Sequence, residues 1–299
     1  MSSLNLGGVF PPLPTPFTRD ESIDEAAIRH NITALVSTPI RGVVVLGSNG
    51  EAPLVGDDDS VAVIEAARAA VPRDRLLVAG TGRESTRETI RFTRRAAAAG
   101  ADAALVRTPS FFKAQLTAEA FIGHYTRLAD ASPIPILLYN FTALTGVTLP
   151  PAAVATLSAH PNIIGMKESG VDEALLAAYG AHATPAFQLL GGTVTALHAS
   201  IAAGATGAIL AAAVVVPRQC VELFNLFKAG RFEDAAALQQ GIVALNRYVT
   251  AAYGIAGLKL AQDLVGQRGG APRLPMLPVP DEARQPIADQ LRALAALEV

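Results

Sequence analysis

A (β/α)8 barrel, eight parallel strands each followed by a helix, is the fold class that this sequence predicts. Eight short apolar runs bounded by glycine or proline alternate with longer, alanine-rich segments of helical period, the pattern of a parallel α/β protein. A chain of 299 residues accommodates such a barrel, which takes roughly 250 residues, with a small piece to spare. A composition 51% apolar and only 17% charged can bury a large core throughout.

The runs are Gly8–Pro11, Gly42–Leu46, Leu76–Ala79, Ala103–Val106, Ile136–Tyr139, Ile163–Lys167, Phe187–Leu190 and Ala208–Ala211, each followed by a plausible helix. Ser22 to Glu25 reads as a capping box at the first helix. The acidic run Asp57 to Asp59 suits the positive end of a helix dipole and needs no metal to explain it. Thr117 precedes Ala118-Glu119-Ala120 as a further cap. After Pro217 comes one more barrel helix, ended by Gly230. Residues 1–230 are thus expected to form the catalytic barrel. Residues 231–299 are expected to form a helical extension, with segments around Asp234–Tyr253 and Ala256–Leu264, a proline-rich stretch Pro272–Pro280 and a last helix.

Charge and cysteine usage exclude several function classes. The formal charge is −2 and the basic residues form no stripe, so a nucleic-acid partner is not expected. The single cysteine, Cys220, lies in an apolar helical stretch, reads as a buried core residue and suits a reducing compartment. Met1 to Leu6 lacks the features of a secretory or transit peptide, and the most apolar run, Ala208–Pro217, is far short of the ~20 residues of a membrane helix. A soluble, cytoplasmic protein with no membrane partner is the expectation.

In such a barrel the chemistry is carried at strand C-termini and the loops that follow. The strongest signal is Ile163-Ile164-Gly165-Met166-Lys167-Glu168-Ser169-Gly170. Of the 24 lysines and arginines only four are lysine, so a lysine kept at an apolar strand end points to a need for an amine. Arginine cannot give up its proton, whereas a desolvated lysine can become neutral and attack a carbonyl. The competing role is an ion pair with a neighbouring carboxylate. Lys113, Lys228 and Lys259 read as structural.

Tyr139 ends the fifth run, where a phenol beside such a lysine can move protons, although a tyrosine there is equally compatible with a core residue whose hydroxyl is satisfied. Gly47-Ser48-Asn49-Gly50-Glu51 after the second run reads as a tight turn whose N–H groups and polar side chains form a nest for a carboxylate, or as an ordinary turn. Gly191-Gly192 lets a ligand approach the backbone. The eighth run continues into Ala211-Ala212-Ala213-Val214 without a glycine loop, which disfavours a phosphorylated substrate. The five histidines, His30, His124, His160, His182 and His198, show no metal-binding spacing, and no Gly-x-Ser-x-Gly elbow is present.

Pro12-Leu13-Pro14-Thr15-Pro16-Phe17, Gly47-Ser48-Asn49-Gly50-Glu51, Leu138-Tyr139-Asn140, Gly165-Met166-Lys167-Glu168-Ser169 and Gly254-Ile255-Ala256-Gly257-Leu258-Lys259 follow one another in order and are spread along most of the chain. Together they resemble the pyruvate-aldolase family that includes dihydrodipicolinate synthase, N-acetylneuraminate lyase and 4-hydroxy-2-oxoglutarate aldolase. The resemblance implies a metal-independent carbon–carbon lyase that needs no cofactor and takes pyruvate, or a larger 2-oxo acid, with an aldehyde. It implies Lys167 as the Schiff-base lysine, Tyr139 as proton relay, and Ser48 both relaying to Tyr139 and binding the keto-acid carboxylate with Asn49. Gly192 and Ile209 would line the pocket. The wording is nearest to the 4-hydroxy-2-oxoglutarate aldolase branch, in which Ser169 would also touch substrate, and the family association implies a homotetramer.

Two departures shape the reading. Dihydrodipicolinate synthases place an arginine shortly after the tyrosine to bind the aldehyde's carboxylate, and Leu144 stands there in this chain. Family members also bring a second tyrosine from a neighbouring subunit, whereas this chain has Phe111-Phe112; Phe112 can pack against substrate but cannot pass a proton. The expected activity is therefore cleavage of a 4-hydroxy-2-oxo acid, or its reverse. Condensation of pyruvate with aspartate semialdehyde is the alternative, and cleavage of a sialic or sugar acid is third, on the likeness of Ala143-Leu144-Thr145-Gly146-Val147. From another class, Phe112 motivates a protein that binds a 2-oxo acid without turnover.

Overall fold

The eight apolar runs become eight strands in the computed structural model, which describes residues 4–295. They are β1 (Gly8–Phe10), β2 (Gly42–Val45), β3 (Leu76–Gly80), β4 (Ala103–Arg107), β5 (Ile136–Asn140), β6 (Ile163–Glu168), β7 (Gln188–Gly191) and β8 (Gly207–Ile209). The sheet order is β1-β8-β7-β6-β5-β4-β3-β2. Between and after the strands come α1 (Glu25–Val36), α2 (Asp57–Ala70), α3 (Thr86–Ala98), α4 (Ala118–Ala131), α5 (Thr142–Thr145), α6 (Pro151–Leu157), α7 (Glu173–Gly180), α8 (Leu197–Ala202) and α9 (Pro217–Lys228). This is the (β/α)8 arrangement that the alternation predicts. No helix among the described residues is long and apolar enough to cross a membrane.

Two local expectations are corrected. The cap of α1 is Asp24, whose carboxylate accepts from Ala27 N at 2.8 Å. Ser22 cannot serve, because an antiparallel bridge pairs Phe17 with Ile23 and Ser22 is still accepting Thr18 N there. The eighth strand ends at Ile209, not Ala211. Ala213 N turns back to Leu210 O at 3.0 Å and opens a 3-10 helix over Ala211–Val214. Thr117 caps α4 as expected, accepting from Ala120 N, and Asp57 to Asp59 form the first turn of α2.

The chain forms two compact units. One comprises Val78–Ile209 with the segment ending at Gly8. Its core lies between strands and helices: Val106, Leu138, Met166 and Leu189 pack with Phe121, Tyr125 and Tyr179. Strand register decides what the opposite face carries. Val106, Leu138, Met166 and Leu189 stand side by side, and one residue further along Arg107, Tyr139, Lys167 and Leu190 do the same. Because successive side chains alternate between faces, this second row turns away from the helices. The two buried phenols of the helical side are satisfied by carbonyls, Tyr125 Oη donating to Val106 O and Tyr179 Oη to Leu149 O.

Gly165 sits where the β5–β6 register shifts. A Cβ there would lie 2.1 Å from Gln188 O on β7, so the backbones themselves would have to separate. Gly165→Ala is expected to lower stability by about 2 kcal/mol or more, measured by urea unfolding; an unchanged midpoint would show that β6 can move aside.

The other unit comprises Val9–Leu77 and the described residues from Leu210 to Ala295. Gly230, at φ 71, closes α9 as expected. Then follow α10 (Phe232–Asn246), a π-helical stretch Arg247–Ala251, α11 (Ala252–Leu264) and α12 (Arg284–Ala293). The break expected near residues 253–256 falls at Gly254, whose φ of 57 and ψ of −136 are non-helical. Cys220 is buried on α9, and burial pushes its thiol pKa up.

Candidate active site

Lys167 and Tyr139 are adjacent across the β5–β6 ladder at the C-terminal ends of their strands. Both are buried, and Lys167 Nζ lies 4.4 Å from the centroid of the Tyr139 ring. The ring in turn leans on Phe141, with centroids 6.2 Å apart.

The neighbouring carboxylate, Glu168, is one residue on and therefore faces the other way. Asn140 Nδ2 donates to it at 2.7 Å and Gly170 N at 2.5 Å, while Asn140 Oδ1 accepts from Leu149 N at 2.8 Å. Burial pushes the Glu168 carboxyl above the usual carboxylate range, opposed by those two hydrogen bonds. Lys167 itself makes no ion pair or side-chain hydrogen bond among the described residues. The ion-paired role that its sequence left open is therefore not what the structure displays.

The next residues complete one side of a site. Ser169 Oγ is buried with no hydrogen-bond partner, and a hydroxyl in that state awaits a polar group. Gly192 makes room beside it: a Cβ there would lie 2.1 Å from Ser169 Oγ and 2.6 Å from Glu168 O. Gly192 N donates to Glu168 O at 2.7 Å, so the chain cannot retreat. The β7–β8 ladder pairs Gly191 with Ala208, which puts Ile209 at the following step.

Leu144 and Phe112 are on the loops after β5 and β4, 64% and 69% exposed. Leu144 lies on the one-turn helix α5, closed by Gly146 at φ 64. Lys113 Nζ rests against that glycine, 2.6 Å from where a Cβ would be. Phe111, 77% exposed, packs edge-to-face on Phe112 at 5.0 Å. Glu84 anchors this loop by accepting from Ser110 N at 2.8 Å and Phe111 N at 3.0 Å, and it pairs with Arg107 at 2.8 Å. Burial raises the Glu84 carboxyl pKa, but these partners together hold it below its ordinary value.

Ser48 and Asn49 belong to the other unit, in the turn after β2. The turn is less open to an anion than the sequence suggests. Gly50 N donates to Gly47 O and Glu51 N to Ser48 O, so two of its N–H groups are used inside it, and Ala52 N just beyond also donates to Gly47 O. Asn49 Nδ2 makes a long bond, 3.4 Å, to Pro12 O.

Among the described residues no three His, Cys, Asp or Glu side chains are grouped to hold a metal. His124 is buried and its imidazole pKa is driven down to about 4 by desolvation, against the pull of Glu84; its Nδ1 meets Thr86 Oγ1 at 2.9 Å. Sequence reasoning assigned no role to Asn140, Glu168 or Glu51. The first two announce themselves only through register. Glu51 was read as part of the turn and Lys259 as structural; that they pair with each other appears only in the structure.

The model of the dihydrodipicolinate synthetase family matches residues 5–294. A probable mitochondrial 4-hydroxy-2-oxoglutarate aldolase of Emericella nidulans is 36% identical, over 92% of this chain and 91% of its own. A 4-hydroxy-tetrahydrodipicolinate synthase of Methanothrix thermoacetophila is also 36% identical, over 97% of both chains. Among solved structures, a prophage protein of the dihydrodipicolinic acid synthase family from E. coli K12, in complex with pyruvate, superposes with a TM-score of 0.89. It is 29% identical, over 98% of this chain and all (100%) of its own.

Proposed function

Since this chain belongs to the dihydrodipicolinate synthetase family and is a carbon–carbon lyase, we propose that Lys167 forms a Schiff base with a 2-oxo acid and that the preferred reaction is cleavage of 4-hydroxy-2-oxoglutarate to pyruvate and glyoxylate. The observation that carries this reading is a buried lysine with no ion pair, 4.4 Å from a strand-end phenol ring. Membership of a lyase family sets aside the reading as a binding protein without turnover.

In this mechanism the deprotonated Lys167 amine attacks C2 of the substrate and water leaves, giving an iminium. The iminium draws the electrons of the C3–C4 bond toward nitrogen as the C4 hydroxyl loses its proton. Glyoxylate departs with its new C=O, and an enamine remains. Protonation at C3 and addition of water at C2 release pyruvate and the free amine. Tyr139, with Ser48, carries the protons of carbinolamine formation and collapse. Ser169, Ser48 and Asn49 take the carboxylate next to the keto group, while Gly192 and Ile209 leave room for it. Leu144, apolar and exposed, stands where dihydrodipicolinate synthases place an arginine for the carboxylate of aspartate semialdehyde, so it weakens the synthase reading, and the carboxylate of glyoxylate must be met by other groups. The exposed Phe111–Phe112 pair supports contact with a second copy of the chain, as in a homotetramer.

Borohydride reduction in the presence of pyruvate, followed by peptide mapping, tests the covalent step: one reduced adduct at Lys167 is expected, and a label on another lysine removes the assignment. Turnover on 4-hydroxy-2-oxoglutarate is expected to exceed condensation of pyruvate with aspartate semialdehyde at least ~10-fold in kcat/KM; the reverse order makes the synthase reading the better one.

A further inference from the structure

Glu51 closes the Gly47–Glu51 turn in the left-handed region, at φ 57 and ψ 30, with its side chain wholly buried. Oε1 lies 2.5 Å from Lys259 Nζ on α11, as an ion pair and not an aligned hydrogen bond, and Oε2 accepts from Arg273 N at 2.8 Å. Lys259 is fully buried as well and donates to Ala271 O at 2.8 Å. The ammonium of Lys259 and the guanidinium of Arg273 each lie 4.4 Å from the centroid of the Phe17 ring. Arg273 also donates to Leu54 O at 2.8 Å and pairs with Asp59 at 3.0 Å. Gly269 lets this segment lie directly on α11, since a Cβ would come within 2.1 Å of Lys259 O. At the preceding residue, Thr15 Oγ1 donates to Gly50 O at 2.7 Å.

A buried ion pair is a poor way to gain stability, because desolvating both charges offsets most of their attraction, and an apolar pair would serve as well. What it does supply is geometry. Each charge has a single position where it is matched, and Glu51 must keep a backbone conformation that few side chains adopt. That fixed point lies at the end of the turn carrying Ser48 and Asn49. Desolvation lowers the Lys259 pKa while Glu51 opposes the change, as expected of a cation kept in place by one partner.

We propose that Glu51 and Lys259 are positioning residues: their buried pair, clamped by the Ala271–Arg273 segment, sets the shape of the turn through which Ser48 and Asn49 bind the carboxylate of a 2-oxo acid. The proposal rests on the assignment of that carboxylate to Ser48 and Asn49 made above. It predicts that affinity for the 2-oxo acid is controlled from α11, by residues that touch no substrate.

Glu51→Gln keeps the shape and an acceptor for Arg273 N; Lys259→Met removes the opposite charge; the double variant holds no unpaired buried charge. Each is assayed for KM and kcat in cleavage, for the pyruvate concentration that half-saturates borohydride trapping, and for Tm. Expected is a rise of about tenfold or more in both KM and the trapping midpoint for all three variants, with the adduct at saturation within about twofold of wild type and kcat lowered as well, because the same turn carries Ser48 of the proton relay. The double variant is expected to regain Tm over the worse single variant without regaining affinity. Wild-type KM and trapping midpoint in variants with lowered Tm would overturn the proposal, leaving the pair merely structural, as would affinity restored in the double variant. Absence of a wild-type adduct would overturn the Schiff-base reading and this proposal together, whereas a normal wild-type adduct with unmoved midpoints overturns only this one.

Discussion

Replacing Lys167 with methionine is expected to leave a folded protein whose turnover has fallen on the order of 10⁴-fold or more and which no longer retains label from pyruvate and borohydride. The chemistry fails because no other group takes over the covalent step. Arginine at 167 is expected to do no better. It fills a similar volume and keeps the charge, but its guanidinium does not lose a proton near neutrality and cannot attack a carbonyl. The stability arm makes the test decisive. Had Lys167 been held in a buried ion pair, removing it would strand a carboxylate at a cost of about 3–5 kcal/mol. The nearby Glu168 carboxylate is instead held by Asn140 and Gly170, so Lys167→Met is expected to fall within ~1 kcal/mol of wild type in urea unfolding. A variant that unfolds, or one that keeps its activity, removes Lys167 from the centre of the mechanism.

Legibility differed between the fold and the site, for physical reasons. Strands buried on both faces write themselves as apolar runs, and glycine or proline cuts those runs at their ends, so β1 to β8 were readable to within about two residues. Lys167 stood out as a lysine at an apolar strand end in a chain with only four lysines, but that left an ion-paired role equally open, and its proposed role as the Schiff-base lysine came from the resemblance of the motifs taken together. Three kinds of feature were not readable. The cap of α1 depended on a bridge, Phe17 to Ile23, that keeps Ser22 out of the helix. Which N–H groups of the Gly47–Glu51 turn stay available depended on which the backbone consumes, with Leu46 and Glu51 both at left-handed φ values. The partners Asn140 with Glu168, and Glu51 with Lys259, are distant in sequence and meet only once register and helix packing are fixed. Composition and periodicity constrain which face a residue occupies; they carry no information on which buried polar group faces which.

The same distinction separates the tyrosines, and from it comes the second large effect. Tyr139→Phe is expected to lower kcat by about 10²- to 10⁴-fold while the adduct at Lys167 still accumulates, more slowly, under borohydride. The ring remains, so the packing against Phe141 and the cover over Lys167 Nζ remain, and the change removes the hydroxyl alone. Tyr125→Phe and Tyr179→Phe are the controls. Those hydroxyls donate to Val106 O and Leu149 O inside the core, and burial pushes both phenol pKa values up. Removing either should cost about 1 kcal/mol of stability and leave kcat unchanged. Equal kinetic losses in all three variants would mean that the phenol at 139 acts through the fold. A loss confined to Tyr139, with slow trapping still directed to Lys167, assigns the proton step to the one strand-end tyrosine in this unit that lies on the same face as the lysine.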